Sequence, residues 1–178
     1  MNEIIKNIIG FGEYGPIVLF FSSIFLLYDK SNLVLFYLLG FVLNVFLNLI
    51  LKGIFQQPRP NENIKLFNLA INNAKKSIFL NGIPFNIYGM PSGHAQSCFY
   101  SLVFIYLALK NKNKNIIIVY ILIAILTLYQ RYYDKFHTIL QLFVGSIVGS
   151  IFAFFIYYLS KKQIMGKLIK KPDDNAPL

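Results

Sequence analysis

The chain has 178 residues, 56% of them hydrophobic and only 13% charged, with a mean hydropathy of +0.57. A soluble domain carries roughly a quarter charged residues, so the composition excludes an ordinary water-soluble fold and points to a compact bundle of membrane helices. The net charge of +10 would suggest nucleic acid in a soluble protein. Here the lysines flank apolar segments, so positive-inside topology and anionic lipid or phosphate account for it, and no nucleic-acid partner is expected. Cys98 is the only cysteine, which leaves no internal disulfide and no cysteine-based metal site.

Residues 1–15 place Ile4, Ile5, Ile8 and Ile9 beside Glu3, Lys6 and Asn7. That spacing predicts a short amphipathic lead-in at the membrane interface. A cleaved signal peptide is the rival reading, but Tyr28-Asp29-Lys30 rather than a small-x-small site follows the apolar run. Pro16 to Tyr28, with part of the preceding segment, gives the first span. Leu33 to Leu51 gives the second, 19 residues without a charge, close to the ~20 needed to cross a hydrocarbon core. Asn44 and Asn48 share one face of it and are expected to hydrogen-bond between helices, with lining a site as the alternative.

Residues 52–91 form a long polar connection. Within it Ile64, Phe67, Ile71, Ala74 and Ile78 recur at helical spacing, with Lys65, Asn68, Asn72, Lys75 and Lys76 elsewhere on the wheel. This predicts an amphipathic helix on the membrane surface, acting either as a cover for the loop or as a gate beside a lipid chain. Ala95 to Leu109, Ile116 to about Tyr133 and Thr138 to Leu159 complete five spans, so the expected fold is an all-α polytopic membrane helical bundle. Gly145 and Gly149 form a GxxxG in the last span, a signal for close helix packing. The lysine-rich segment 161–178 reads as a solvated or lipid-surface tail after a single domain over residues 1–160.

Three polar pieces stand out: Lys52-x6-Arg59-Pro60, Tyr88-Gly89-Met90-Pro91-Ser92-Gly93-His94, and Arg131-x5-His137. Counting crossings puts all three on one membrane face, together with the N-terminus. The opposite face holds nine lysines, whereas the motif face holds five Lys or Arg once Lys52, Arg59 and Arg131 are set aside. The positive-inside rule then makes the C-terminal tail cytoplasmic and turns the motifs outward or into a lumen.

The chemistry that these residues allow is phosphate chemistry. Arg59 and Arg131 offer bidentate forks and Lys52 a point charge. Ser92 and Gly93 stand where a helix begins and its backbone N–H groups are free to meet an anion. One histidine suits a nucleophile and the other a proton donor to the leaving oxygen. Metal binding is the competing use of two histidines, but the motifs offer few further ligands, so no metal or other cofactor is expected.

The combined pattern resembles the three signature motifs of the type 2 phosphatidic acid phosphatase (PAP2) superfamily, from residue 52 to about 149. The resemblance implies a helical bundle with metal-independent phosphatase activity on a membrane lipid phosphate or diphosphate. It implies phosphate binding by Lys52, Arg59, Ser92, Gly93 and Arg131, with His94 as general acid and His137 as the nucleophile that forms a phosphohistidine. Two positions depart from the pattern. Gln130 stands where Ser usually precedes the arginine, and Gln141 stands where Asp usually follows the nucleophile. A Gln141 oxygen can orient the imidazole but cannot supply charge. Loss of the comparable charge in a serine-protease triad costs about 10⁴ in kcat, so an impaired, lipid-phosphate-binding protein is one consequence. The other is a subfamily mark. Met90 to Gln96 and Arg131 to Gln141 resemble the eukaryotic dolichyl-diphosphatases, which implies a polyprenyl diphosphate substrate cleaved at the lumenal face of the endoplasmic reticulum. A phosphatidate or broad lipid phosphate phosphatase is the alternative.

Overall fold

The computed structural model describes residues 3–73, 88–109 and 113–165. Seven α-helices run in the order α1 (Glu3–Gly10), α2 (Gly15–Leu27), α3 (Ser31–Phe55), α4 (Ile64–Asn73), α5 (Gly93–Leu109), α6 (Lys114–Tyr133) and α7 (Ile139–Met165), with a 3₁₀ turn at Phe11–Tyr14 joining α1 to α2. Among the described residues there is no strand, only an isolated antiparallel bridge between Pro58 and Tyr88. The expected all-α membrane bundle is therefore what forms. Four helical segments are long and apolar enough to cross a membrane: Asn7–Leu27, Asn32–Phe55, Lys114–Tyr133 and Ile139–Lys162. The fifth, α5, is a shorter apolar helix.

Helix α5 is the hub, packed against α2, α3, α6 and α7. Its central place explains its composition. Ala95, Gln96, Cys98, Tyr100, Ser101 and Phe104 are all buried, and their polar atoms are satisfied within the protein, as a lipid surrounding requires. Tyr37 Oη and Ser101 Oγ lie 2.7 Å apart, and Tyr100 Oη donates to the Tyr37 carbonyl at 3.0 Å. Phe20, Tyr37, Phe41, Tyr100 and Phe104 form a continuous aromatic cluster. Large exposed side chains such as Phe25, Phe46 and Phe154 lie on the outer surface, the place for them when the surrounding medium is hydrocarbon rather than water.

The asparagine pair joins α3 to α5. Asn48 Nδ2 donates to Gln96 Oε1 at 2.8 Å and to the Pro91 carbonyl at 3.2 Å, and Gln96 Nε2 donates to the Asn44 carbonyl at 2.8 Å and to Asn44 Oδ1 at 2.9 Å. The GxxxG of α7 meets the start of α5. A Cβ at Gly145 would stand 2.6 Å from the Ser92 carbonyl oxygen, and one at Gly149 would stand 2.1 Å from that of Gln96. Only glycine admits such close backbone approach.

The N-terminal segment forms a short helix, α1, as its spacing predicts. The lead-in continues into the first span and packs on α6. Helix α4 forms within the amphipathic stretch, capped by Asn63 Oδ1, which accepts from the Lys65 and Leu66 N–H groups at 3.0 and 3.3 Å. Its Phe67 is buried edge-on against Tyr88, with ring centroids 5.9 Å apart. That contact seats α4 on the stretch that leads into α5. Ala74 to Ile78, the basic loop at 110–112 and the tail at 166–178 lie outside the described residues.

Candidate active site

The polar motifs meet at one end of the bundle, each carried by a different element. Lys52 sits in the last turn of α3, which stops at Gln56 in the left-handed conformation (φ 46°). The chain then turns so that Gly89 N–H donates to the Gln57 carbonyl at 2.7 Å beside the Pro58–Tyr88 bridge. This pins the Arg59 loop against the stretch that opens α5. Arg131 ends α6, and its carbonyl accepts from both Phe136 and His137 N–H at 3.1 and 3.2 Å. The turn between α6 and α7 is thereby folded back over the arginine.

The two histidines have fixed tautomers, each with its proton on Nδ1. His137 is buried, with Nδ1 2.9 Å from the Gly89 carbonyl. A carbonyl only accepts, so Nδ1 carries the proton and Nε2 keeps its lone pair. His94 Nε2 is paired with Arg131 Nη2. A guanidinium only donates, so this nitrogen is the acceptor and the neutral ring holds its proton on Nδ1. Burial, then the nearby Arg59 and Lys52, push the His137 pKa down to about 3, with hydrogen bonds involving Gln141 and Gly89 pulling weakly the other way. The ring is neutral and nucleophilic across the physiological range. Lys52, Arg59 and Arg131 all act electrostatically on His94.

Both guanidinium groups lie over one aromatic ring. Arg59 Cζ is 5.9 Å and Arg131 Cζ 5.0 Å from the Phe136 centroid. Two like charges are held close together by the π face they share. Nε of Arg59 and Nε of Arg131 are buried and have no hydrogen-bond partner among the described residues. Buried donors of this kind call for an acceptor, and an oxyanion between the two arginines supplies one.

One expectation for an individual residue needs correction. Ser92 N–H is not open to an anion, because it donates to the Gln141 carbonyl at 3.1 Å. Its hydroxyl faces the Ala95 N–H at 3.5 Å and its carbonyl accepts from Gln96 at 3.0 Å, so Ser92 caps α5. The donors left at this helix start are the N–H groups of Gly93 and His94, for which no partner is found among the described residues. Gln141 shares in holding His137, with a side-chain hydrogen bond to it, and also ties down the backbone around it. Its Oε1 accepts from Thr138 N–H at 3.2 Å and its Nε2 donates to the Pro58 carbonyl at 3.0 Å. Its amide packs on Gly89, where a Cβ would come within 2.6 Å of it. Gln141 thus braces the backbone whose carbonyl orients the imidazole. Gln130 is likewise absorbed locally, its Nε2 donating to Asp134 Oδ2 at 2.6 Å.

Three participants carried no obvious signal. Gly89 contributes only its carbonyl, which has no side-chain signature. Phe136 is an aromatic directly before His137. Glu13 lies in the 3₁₀ turn, with its carboxylate 3.8 Å from Arg131 Nη2, and its backbone hydrogen-bonds the His94 ring. The glycines on either side, Gly12 and Gly15, could have flagged a tightly seated turn.

Two cavities adjoin the histidines, one at each. One, about 350 Å³, is lined by His94, Gly93, Asn48 and Glu13 at its polar end and by Ile17, Phe41 and Val45 of α2 and α3. The other, about 570 Å³, is lined by His137, Thr138, Pro60, Tyr132 and Tyr133. Among the described residues no three His, Cys, Asp or Glu side chains cluster as metal ligands.

A helical membrane bundle that gathers two histidines, a lysine and two arginines at one end is the architecture of a membrane phosphatase. The family model for the PAP2 superfamily matches residues 33–165, three quarters of the chain, and the protein belongs to that superfamily. At family level this makes it a phosphatase acting on lipid phosphates. No curated protein and no solved structure matches the chain.

Proposed function

We propose that the protein hydrolyses a polyprenyl diphosphate to the monophosphate through a phosphohistidine. The observation that carries the mechanism is the pair of buried, unpartnered arginine Nε donors beside two histidines that both hold their proton on Nδ1 and leave Nε2 as acceptor. In this reading Lys52, Arg59, Arg131 and the N–H groups of Gly93 and His94 hold the terminal phosphoryl group. His137 Nε2 attacks phosphorus, and the bond to the bridging oxygen breaks. His94 gives that oxygen a proton, and lipid monophosphate leaves. Water then attacks the phosphorus–nitrogen bond, gives its proton to His94 and releases orthophosphate.

In-line displacement sets the leaving group opposite His137. The lipid therefore belongs on the His94 side, where the cavity walled by Ile17, Phe41 and Val45 adjoins the bilayer. The Gln141 pattern supports a diphosphate substrate, and the lysine balance supports a lumenal or extracytoplasmic site with a cytoplasmic C-terminus.

Purified full-length protein in detergent should release phosphate from dolichyl diphosphate in the presence of EDTA. Label from a terminally labelled substrate should appear on His137. Preference for phosphatidate would replace this reading with a broad lipid phosphate phosphatase. An EDTA-sensitive activity would sink the metal-free mechanism. A His137→Ala variant as active as the parent would leave only a lipid-binding role.

A further inference from the structure

The site has no carboxylate behind its nucleophile, since Gln141 occupies that position and the Gly89 carbonyl takes the ring proton. A carboxylate stands instead across the site. The turn Phe11–Tyr14 is seated on α6 so closely that a Cβ at Gly12 would lie 2.6 Å from the Leu126 carbonyl oxygen and 2.8 Å from Gln130 Cβ. Gly15 meets Thr127 in the same way. This docking carries Glu13 to the mouth of the His94 cavity. With His94 Nε2 accepting from Arg131, the ring donates from Nδ1, so its backbone partner at Glu13 is the carbonyl.

We infer that Glu13 is the positioning residue for the general acid: its carbonyl holds the His94 ring by Nδ1, and its carboxylate offsets the surrounding cations so that the ring can carry a second proton. The inference rests on the function proposed above. The charged groups acting on His94 are Lys52 from α3, Arg59 from the loop after it and Arg131 from α6, and the carboxylate of Glu13 from the N-terminal turn lies beside the last of these. Three are cations, and each opposes an imidazolium. Arriving phosphate engages Arg131 and frees His94 Nε2 to take up the proton that the leaving oxygen needs. At 3.8 Å, with Glu13 57% exposed, the pair with Arg131 contributes little to stability. Its effect is on charge at the site, and phosphate competes with it for the same guanidinium.

Those two roles predict opposite changes in one variant. Glu13→Gln should lower kcat by about tenfold or more and move the basic limb of the kcat/KM profile to lower pH. The same variant should bind inorganic phosphate about two- to fivefold more tightly, the scale of an exposed ion pair. Glu13→Asp, which keeps the charge, should retain the parent's basic limb. An active parent with an unchanged pH profile in Glu13→Gln overturns the inference alone. Parallel loss of kcat, phosphate affinity and thermal stability makes Glu13 merely structural and also overturns it. A parent that binds phosphate but hydrolyses no phosphate ester overturns the proposed function and this inference with it.

Discussion

His137 gives its Nδ1 proton to the backbone carbonyl of Gly89, 2.9 Å away. The tautomer that frees Nε2 is thus fixed by main chain, and the side chain behind it, Gln141, holds that main chain in place through Pro58 and Thr138. A neutral amide suits this brace because it must both donate and accept. Gln141→Glu keeps the acceptor for Thr138 but sets a carboxylate oxygen against the Pro58 carbonyl. An unsatisfied buried group of this kind costs about 1–3 kcal/mol. The variant should fold with a lowered thermal midpoint and reduced, not abolished, turnover. Gln141→Asp is expected to behave likewise, because the Gly89 carbonyl still accepts the ring N–H. Complete inactivity in a folded Gln141→Asp protein would contradict this.

The depressed pKa of His137, about 3, has a stability signature of definite sign. The unfolded chain takes up this proton below about 6.5, while the folded chain refuses it until about 3. The unfolded state therefore binds more protons in that window, and stability falls as pH falls through it, by at most about 1.4 kcal/mol per pH unit from this group. Thermal midpoints of the parent and of His137→Gln, measured in detergent from neutral to acidic pH, should diverge, with the parent losing more on acidification. Parallel curves would refute the assignment.

Phe136 should matter to binding more than to folding. Its ring is the surface that Arg59 and Arg131 share, and each such contact is worth about 0.5–2 kcal/mol. Phe136→Leu should weaken inhibition by inorganic phosphate by about tenfold, whereas Phe136→Tyr should stay near the parent. Equal phosphate inhibition in the leucine variant would show that the arginines hold their places without the ring.

The in-line argument assigns the lipid chain to the cavity walled by Ile17, Phe41 and Val45. Val45→Trp should fill it. Turnover of a lipid diphosphate should fall by about tenfold or more, while a short water-soluble aryl phosphate is hydrolysed at the parent's rate. If both substrates were affected equally, the chain would have to lie elsewhere, and the cavity beside His137 would be the next candidate.

Much of this arrangement can be read from spacing and connectivity. Antiparallel spans bring Lys52, Arg59, His94, Arg131 and His137 to one end whatever the details of packing, and apolar run lengths mark the helices that carry them. Main-chain partners leave no such trace. The Ser92 N–H falls to Gln141, and the His137 proton falls to Gly89, because two loops are stitched together by backbone bonds that any residues could make. Glu13 is hidden for a different reason. It precedes Arg131 by more than a hundred residues, and only the close seating of Gly12 on α6 makes them neighbours. Gln130 and Gln141 look like lost functional groups in the sequence, yet the Gln130 amide N–H meets Asp134 and Gln141 uses both its donor and its acceptor on neighbouring backbone.

The floor of the site is backbone on backbone, where Gly145 and Gly149 press on the first turn of α5. Apart from the Ala95 methyl group, the nearest atoms to these glycines are backbone, so substitution has little there to enlarge, shrink or recolour. Under the proposed function, a change of preference among lipids would have to be written on the cavity walls supplied by α2 and α3.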